Sequence, residues 1–348
     1  MDRAALEAVD PEGLAGYLGR HLPAFDGPFE VERLGEGQSC LTFLVTGGDW
    51  RFVLRRPPRG ELPPTAFDVR REYRVMRALG EHGTGVPVPQ VLALCEDRSV
   101  IGVPFYVMEP VEGVVVRTEL PAPLSSEGDR WRMATQLLDT LLALHEVDPA
   151  TVGLEGFGKP DGYLERQLWR MRGLWDLARF RDVPDIEHVG AWLADNLPSP
   201  SPPGIVHGDY KLDNVIFAPR SPAELVAVVD WEMSTVGDPL ADLGWLLYFW
   251  REAGDVAFGL KVATVTDLPG FPGRGELLER YAKGSGRNLE AIRWYMALAG
   301  WKIAIIMEGS YGRFRSGIAD HPAFAQLEGA VPALAHRARQ SADGELEL

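Results

Sequence analysis

The sequence predicts an α+β protein in two parts, a small antiparallel sheet followed by a larger, mostly helical region. About five strand-like segments and one main helix occupy roughly the first 110 residues. Long amphipathic patterns dominate after residue 126. The length of 348 residues exceeds what one core of ordinary size accommodates. We therefore expect an N-terminal lobe over residues 1–109 and a C-terminal lobe over residues 110–348.

The N-terminal lobe should begin with a short leading helix over Pro11–Leu22. The turn Gly47–Asp49 is typical of a hairpin between two strands. An apolar stripe that ends at a glycine predicts the main helix over Thr65–Gly80. The predicted strands are Phe29–Gly35, Cys40–Thr46, Trp50–Arg56, Gln90–Cys95 and Val103–Glu109.

The C-terminal lobe should be helical except for Gly204–Trp231, which has the pattern of short strands and polar loops. In the first long helix we expect Trp131 on the apolar face, together with Leu138 and Leu141. The predicted helices are Glu127–His145, Gly162–Ala178, Ile186–Asn196, Pro239–Trp250, Gly275–Lys283, Leu289–Met307 and Pro322–Arg339.

Composition and charge limit the classes of function. The net charge is −15 with a sequence pI of about 5.0, so a nucleic-acid partner is not expected. The longest clean apolar run, Leu243–Trp250, is too short to span a membrane. Two cysteines in a chain of this length make no disulfide framework, and Met1–Asp10 lacks the apolar stretch of a signal peptide. A cytoplasmic protein is the expectation.

Two segments carry the polar residues of a catalytic site. Ile205–Phe217 holds His207, Asp209, Lys211 and Asn214 between apolar pairs, and such loops on rigid scaffolds are where catalytic groups concentrate. In the second segment, five apolar residues run directly into Asp230. A carboxylate at a buried strand end is unfavourable unless it meets a cation, which suggests a ligand.

These segments, followed by Gly237–Gly244, resemble the aminoglycoside phosphotransferase family, whose fold is related to choline kinases and more distantly to protein kinases. The spacing from Asp209 to Asn214 matches that of the base and metal ligand in the kinase loop H-R-D-x-x-x-x-N. The resemblance covers roughly residues 29–339. The details are most similar to a branch that also occurs fused to some acyl-CoA dehydrogenases.

The resemblance implies a bilobal, protein-kinase-like fold, with ATP and Mg²⁺ as cofactors. It implies that Asp209 is the general base, that Lys211 stabilises charge on the transferred phosphate, and that Asn214 and Asp230 bind Mg²⁺. A capping role for Asp209 and a solvent-exposed Lys211 are the alternatives. His207 should hold the loop, and Asp242 should support it by a hydrogen bond.

The N-terminal lobe is implied to bind the nucleotide. Glu72 should pair with Arg55, which would hold the α/β-phosphates, and Met108 and Glu109 belong to the hinge strand that meets adenine. Gly35, Gly37 and Ser39 lie in the turn that would cover the phosphates. The sequence departs from aminoglycoside-resistance kinases at two positions, because Arg55 replaces a lysine and Cys40 replaces an asparagine.

The expected reaction is transfer of the γ-phosphoryl group to a hydroxyl of a small molecule. Asp238 follows Asp230 by only eight positions, which leaves no room for a peptide-binding segment. A hydroxyacyl derivative is favoured over an aminoglycoside, because basic residues accompany the few acids near the C-terminus and could meet an anionic group; they are Arg293, Lys302, Arg313 and Arg315. The alternative is a catalytically degenerate nucleotide-binding scaffold. A metal-dependent hydrolase that uses His207 and Asp209 lacks a further ligand cluster.

Overall fold

The computed structural model describes residues 9–22, 25, 28–35, 40–58, 68–256, 258, 262–319 and 322–348. Its strands are β1 (Glu30–Leu34), β2 (Leu41–Gly47), β3 (Trp50–Arg56), β4 (Val91–Cys95), β5 (Phe105–Met108), β6 (Gly204–Val206), β7 (Val215–Phe217), β8 (Leu225–Val228) and β9 (Thr235–Gly237). Its α-helices are α1 (Pro11–His21), α2 (Val69–Glu81), α3 (Arg98–Ile101), α4 (Glu127–Glu146), α5 (Tyr163–Ala178), α6 (Pro184–Asp195), α7 (Leu240–Phe249), α8 (Arg274–Ser285), α9 (Ile292–Arg315) and α10 (Leu327–Asp343). Within these residues, no helix is both long and apolar enough to cross a membrane.

The first five strands form one antiparallel sheet in the order β1-β2-β3-β5-β4. Alternate residues of β3 face opposite sides, as the period of a strand requires. Phe52 and Leu54 pack with α1 and α3 in one apolar core. The opposite side of the sheet, which carries Arg55, faces α2 and the helical lobe. This arrangement confirms the predicted α+β class with an antiparallel sheet.

Helix α2 belongs to the same apolar core as the helical lobe, through residues such as Val75 and Leu79. Arg71 strengthens this attachment, because its Nη2 donates to the carbonyl oxygens of Phe157 (2.8 Å) and Ser234 (2.9 Å). Arg74 Nη2 donates to the backbone in the same region. The helix is therefore held from two sides, by the sheet and by the second lobe.

The helical lobe is organised around α9, which packs against α5, α6, α7 and α10. Two short antiparallel ribbons, β6–β9 and β7–β8, lie between α6 and α7 in the chain. The β7–β8 register pairs Val215 with Val228, so the residues just before β7 and just after β8 meet at one end of the ribbon. This end of the ribbon positions the candidate site.

Several predicted boundaries require correction. Helix α9 continues to Arg315 instead of ending at Met307, and the segment from Pro322 begins as a 3-10 turn before α10 starts at Leu327. The sheet lobe contains the short helix α3, which is too brief to give a periodic signal. Trp131 is half-exposed, because α4 buries Met133, Leu137 and their neighbours one turn away. The predicted start of α2 at Thr65 lies outside the described residues.

Gly244 allows α7 and α9 to approach closely, since a Cβ there would lie 2.5 Å from Tyr295 Cβ and 2.6 Å from the Tyr295 carbonyl carbon. We expect Gly244→Ala to lower the free energy of unfolding by about 1–3 kcal/mol through overpacking. Gly173→Ala on α5, where a Cβ would meet no described residue within 4 Å, should instead raise it by about 0.5–1 kcal/mol. Urea denaturation of both variants measures the difference, and equal stabilities would contradict the close helix contact.

Candidate active site

The loop after β6 is held by one buried carboxylate. Asp242, in the first turn of α7, accepts hydrogen bonds from the backbone N–H of His207 (2.6 Å) and of Gly208 (2.8 Å). Gly208 has φ of 90°, and a Cβ there would lie 2.6 Å from the Met233 carbonyl oxygen. Only glycine combines this backbone conformation with so close an approach. The predicted support of the loop by Asp242 is present.

His207 fixes the other side of the same loop. Its Nε2 donates to the Val229 carbonyl oxygen at 3.0 Å, and its Nδ1 accepts from the Asp209 backbone N–H at 3.2 Å. The imidazole is fully buried and stacks at an angle on Trp231. It therefore joins the loop to the end of β8, which agrees with the expected holding role.

Asp209 projects from this loop into a set of three donors. Its Oδ1 accepts from Trp245 Nε1 (2.8 Å), and its Oδ2 accepts from Lys211 Nζ (2.5 Å) and Asn214 Nδ2 (2.7 Å). The Asp209 side chain is 20% exposed, so it still reaches solvent although three donors hold it. Burial acts to lower the pKa of Lys211, but the charges of Asp209 and Asp213 outweigh it and raise that pKa. Lys211 is therefore a cation at neutral pH.

Asn214 and Asp230 lie at the same end of the β7–β8 ribbon. Asn214 ends a 3-10 turn that leads directly into β7, and its carbonyl accepts from the Val229 N–H at 3.0 Å, one residue before Asp230. Asp230 has φ of 68°, a left-handed conformation that few residues other than glycine adopt. Aspartate tolerates it better than most, and such backbone strain is concentrated at functional sites.

Arg55 connects this end of the ribbon to the sheet lobe. Its Nε lies 2.7 Å from Glu72 Oε2, and its Nη2 lies 2.7 Å from Asp230 Oδ1. The expected Arg55–Glu72 pair is therefore present, and the contact with Asp230 was not anticipated. In the sheet, Arg55 stands opposite Tyr106, whose hydroxyl donates to the same Glu72 oxygen at 3.1 Å. Burial raises the pKa of Glu72, although Arg55 opposes that rise.

Cys40 lies beside this ion pair, and one ligand atom each from Cys40, Glu72 and Glu232 lie within 4.8 Å of one another. Burial raises the pKa of the Cys40 thiol well above its usual value, so the thiol is neutral. The guanidinium of Arg55 already supplies the positive charge at this position, 3.7 Å from Glu232. This cluster therefore balances Arg55 and is a poor metal site.

The described residues among the remaining nucleotide candidates lie at the ends of sheet strands. Met108 ends β5 and is half-buried, and Glu109 is exposed with its N–H donating to the Gln90 carbonyl oxygen at 2.8 Å. Gly35 follows β1 with φ of 73°, and a Cβ added there would meet no described residue within 4 Å. Gly37 and Ser39 lie outside the described residues.

Two contacts of the site, made by Trp245 and Tyr106, could not be predicted from the sequence, and Lys302 was expected near the acceptor without a position beside Trp245. The indole of Trp245 donates to Asp209, and the hydroxyl of Tyr106, which lies in a predicted strand, donates to Glu72. Lys302 of α9 is buried, with its Nζ 5.7 Å from the centre of the Trp245 ring. Each lies far along the chain from its partner, so no local pattern could have revealed the contact.

Comparisons with known proteins bear on what these groups do. The model of the phosphotransferase enzyme family, APH, matches residues 30–295. The chain belongs to this family. The predicted resemblance is thereby confirmed, and so is the broad expectation of a phosphotransferase.

The relatives also confirm the likeness to the branch fused to dehydrogenases. The chain is 37% identical over 318 residues to acyl-CoA dehydrogenase family member 11 of Gallus gallus, covering 88% of this chain and 40% of that protein. It is 37% identical over 307 residues to family member 10 of Mus musculus, covering 87% of this chain and 28% of that protein. The chain thus spans less than half the length of these relatives.

Solved structures show the same fold. A crystal structure of a candidate aminoglycoside phosphotransferase from Ralstonia eutropha has a TM-score of 0.80 and 33% identity, with 96% of this chain and 98% of that chain covered. An aminoglycoside phosphotransferase in complex with GDP and kanamycin has a TM-score of 0.62 at 16% identity, with 94% of this chain and 98% of that chain covered. The second likeness supports the kinase-like fold alone.

Replacing Asp242 tests whether its carboxylate holds the loop. We expect Asp242→Asn to lower the free energy of unfolding by about 2–3 kcal/mol, because one of two buried N–H groups would face an amide N–H₂. Asp139→Asn, which removes an exposed pair with Arg280, should change it by no more than about 1 kcal/mol. Thermal or urea denaturation compares the two. A harmless Asp242→Asn would show that the loop is held mainly by His207.

Proposed function

We propose that the protein transfers the γ-phosphoryl group of ATP, with Mg²⁺, to a hydroxyl group of a small molecule. The observation that supports this proposal most strongly is that Asp209, Asn214 and Asp230 lie together at one end of the β7–β8 ribbon. Arg55 links Asp230 to Glu72 at the same place. Phosphoryl transfer depends on positioning and charge neutralisation, and this set supplies both anionic and cationic groups.

Asp209 is the proposed general base. A carboxylate has about four lone-pair positions, and three of those on Asp209 are used by Trp245, Lys211 and Asn214. One position remains for the hydroxyl of an acceptor. The three donors also fix the carboxylate in one orientation, so the acceptor oxygen would be positioned as its proton is removed. Lys211 would then stabilise the negative charge of the transferred group.

Asn214 and Asp230 would hold Mg²⁺. Their oxygens are hard ligands of the kind that Mg²⁺ prefers, usually with phosphate oxygens and waters completing the shell. Asn214 directs its side-chain N–H₂ group to Asp209, which leaves the oxygen of the same side-chain amide for a cation. Asp230 uses Oδ1 for Arg55, which leaves Oδ2. A bound Mg²⁺ would neutralise charge on the phosphates of ATP.

Arg55 is proposed to bind the α/β-phosphates while Glu72 keeps its guanidinium in place. Arginine offers several N–H donors in one plane, so it can keep Glu72 on one edge and exchange Asp230 for a phosphate on the other. Gly35, Gly37 and Ser39 would approach the phosphates. Met108 and Glu109, at the end of β5, would lie against the adenine.

A small acceptor fits the chain better than a peptide does. From Asp230 to the start of α7 the chain forms only a 3-10 turn and the short strand β9. The curated relatives are named as acyl-CoA dehydrogenase family members, which supports a hydroxyacyl derivative as the acceptor, ahead of an aminoglycoside.

Nucleotide binding is tested with Asp230→Asn, because asparagine tolerates the left-handed backbone while losing the charge. Mg·ATP should raise the thermal midpoint of the wild-type protein, since it binds only the folded state. The Mg²⁺-dependent part of that rise should be lost in Asp230→Asn and kept in Asp195→Asn, an exposed control on α6. No rise with any nucleotide in the wild type would overturn the proposal.

Turnover is tested with Asp209→Asn. Loss of a general base should lower kcat by about a hundredfold to ten-thousandfold, with the KM for Mg·ATP little changed. Mass spectrometry of a panel of small alcohols and hydroxyacyl thioesters, each incubated with Mg·ATP, would reveal the gain of one phosphate. If Mg·ATP binds and no acceptor gains phosphate, the degenerate-scaffold alternative would be favoured.

A further inference from the structure

Lys302 is a buried cation without a partner in the described part of the chain. It lies in the middle of α9, the residue is only 8% exposed, and it makes no hydrogen bond or ion pair to any described residue. Lysine is almost never buried to this degree unless it is paired. Burial lowers the pKa of Lys302, which reflects the unfavourable position of a lone ammonium group.

The ammonium group is close to the catalytic loop. Its Nζ lies 5.7 Å from the centre of the Trp245 ring, and Trp245 Nε1 donates to Asp209 Oδ1 at 2.8 Å. One indole ring therefore separates Lys302 from the carboxylate proposed to receive the acceptor proton. A cation above an indole gains some stabilisation, but the ring satisfies none of the three N–H donors by conventional hydrogen bonds.

The neighbouring carboxylates do not provide the missing partner. Asp242 uses both oxygens to hold the N–H groups of His207 and Gly208. Asp209 is occupied by Trp245, Lys211 and Asn214, apart from the position assigned to the acceptor. Both acids favour the charged form of Lys302 at a distance, so they support an ammonium group that they do not bind.

The other basic residues expected near the acceptor are engaged elsewhere. Arg293 donates to the Leu346 carbonyl oxygen (2.6 Å), Arg313 to Ser310 (3.1 Å) and Arg315 to Tyr311 (2.7 Å). Lys302 is the member of this group that lies beside Trp245 and Asp209. Of the four basic residues considered for binding an anion, Lys302 is therefore the one placed to do so.

We propose that Lys302 determines acceptor specificity by binding a negatively charged group, of the carboxylate or phosphate type, on the molecule whose hydroxyl faces Asp209. This inference rests on the proposed function and adds the charge of the substrate to it. An anion would satisfy the free N–H donors and restore a paired, fully charged lysine. An acceptor that carried an ammonium group would instead meet a like charge.

The experiment compares wild type with Lys302→Met, which keeps the length of the side chain and removes the charge. Replacing a buried, unpaired charge by an apolar side chain is often neutral or stabilising, so the variant should fold, and its thermal midpoint checks this. Acceptors are hydroxy acids of increasing chain length, each paired with its primary amide. A third set carries a phosphate in place of the carboxylate.

For whichever anion is the substrate, Lys302→Met should lower kcat/KM about tenfold to a hundredfold, mainly through KM, and leave the paired amide and the KM for Mg·ATP unchanged. Lys302→Arg should restore part of the preference for the anion. Lys283→Met, which changes a lysine that is 79% exposed on α8, should have no effect. Equal losses on anion and amide, or no loss, would overturn the inference.

A binding measurement separates this inference from the proposed reaction. Calorimetry with Mg·ADP present would titrate the same hydroxy acids and phosphorylated alcohols into both proteins. If wild type binds an anion and Lys302→Met binds it at least tenfold more weakly, the inference stands even if no phosphate is transferred. If wild type transfers phosphate only to neutral or cationic acceptors, the inference fails while the proposed function survives.

Discussion

The rest of the site depends on the ion pairs that the guanidinium of Arg55 makes with Glu72 and Asp230. The guanidinium lies 2.7 Å from Glu72 and 2.7 Å from Asp230, so a strand of the sheet, helix α2 and the end of β8 meet at a single cation. One side chain thus holds together three segments that are far apart in the chain. Removing the charge would leave a nearly fully buried Glu72 without its counter-ion, which is far less favourable than losing an exposed pair.

A second constraint acts on the loop after β6. The Asp242 carboxylate orders the backbone of His207 and Gly208, and α7 then supplies Trp245 to orient Asp209. Asp242 and Trp245 are three residues apart, so they lie on the same face of the helix. One helix therefore fixes both the path of the loop and the direction of its central carboxylate.

Much of this architecture could be predicted from sequence. The hairpin at Gly47–Asp49 and the amphipathic pattern of α2 depend on local preferences, and both are present. The Arg55–Glu72 pair could be expected because a charge on the apolar face of a helix needs a partner. The boundaries were less accurate where an apolar helix such as α9 has no polar face to mark its end.

What could not be predicted are contacts that depend on how the lobes meet. Asp230 binding to Arg55 across 175 residues has no local signature. In the sequence, Lys302 does not differ from the other basic residues near the C-terminus. Its burial depends on the packing of α9 against α7, which no local pattern reveals. Trp131 was assigned to the wrong face because its apolar character fits the helical period, while Met133 and Leu137 fill the available space.

The attachment of α2 to the second lobe bears on how activity could be controlled. Arg71 and Arg74 donate to backbone carbonyl oxygens of that lobe, and Phe157 lies under the Arg71 guanidinium at 4.3 Å. Because these acceptors are main-chain atoms, they carry no side chain whose modification could release the helix. Helix α2, fastened in this way, places Glu72 next to Arg55. The position of Glu72 beside Arg55 therefore depends on the second lobe as well as on the sheet.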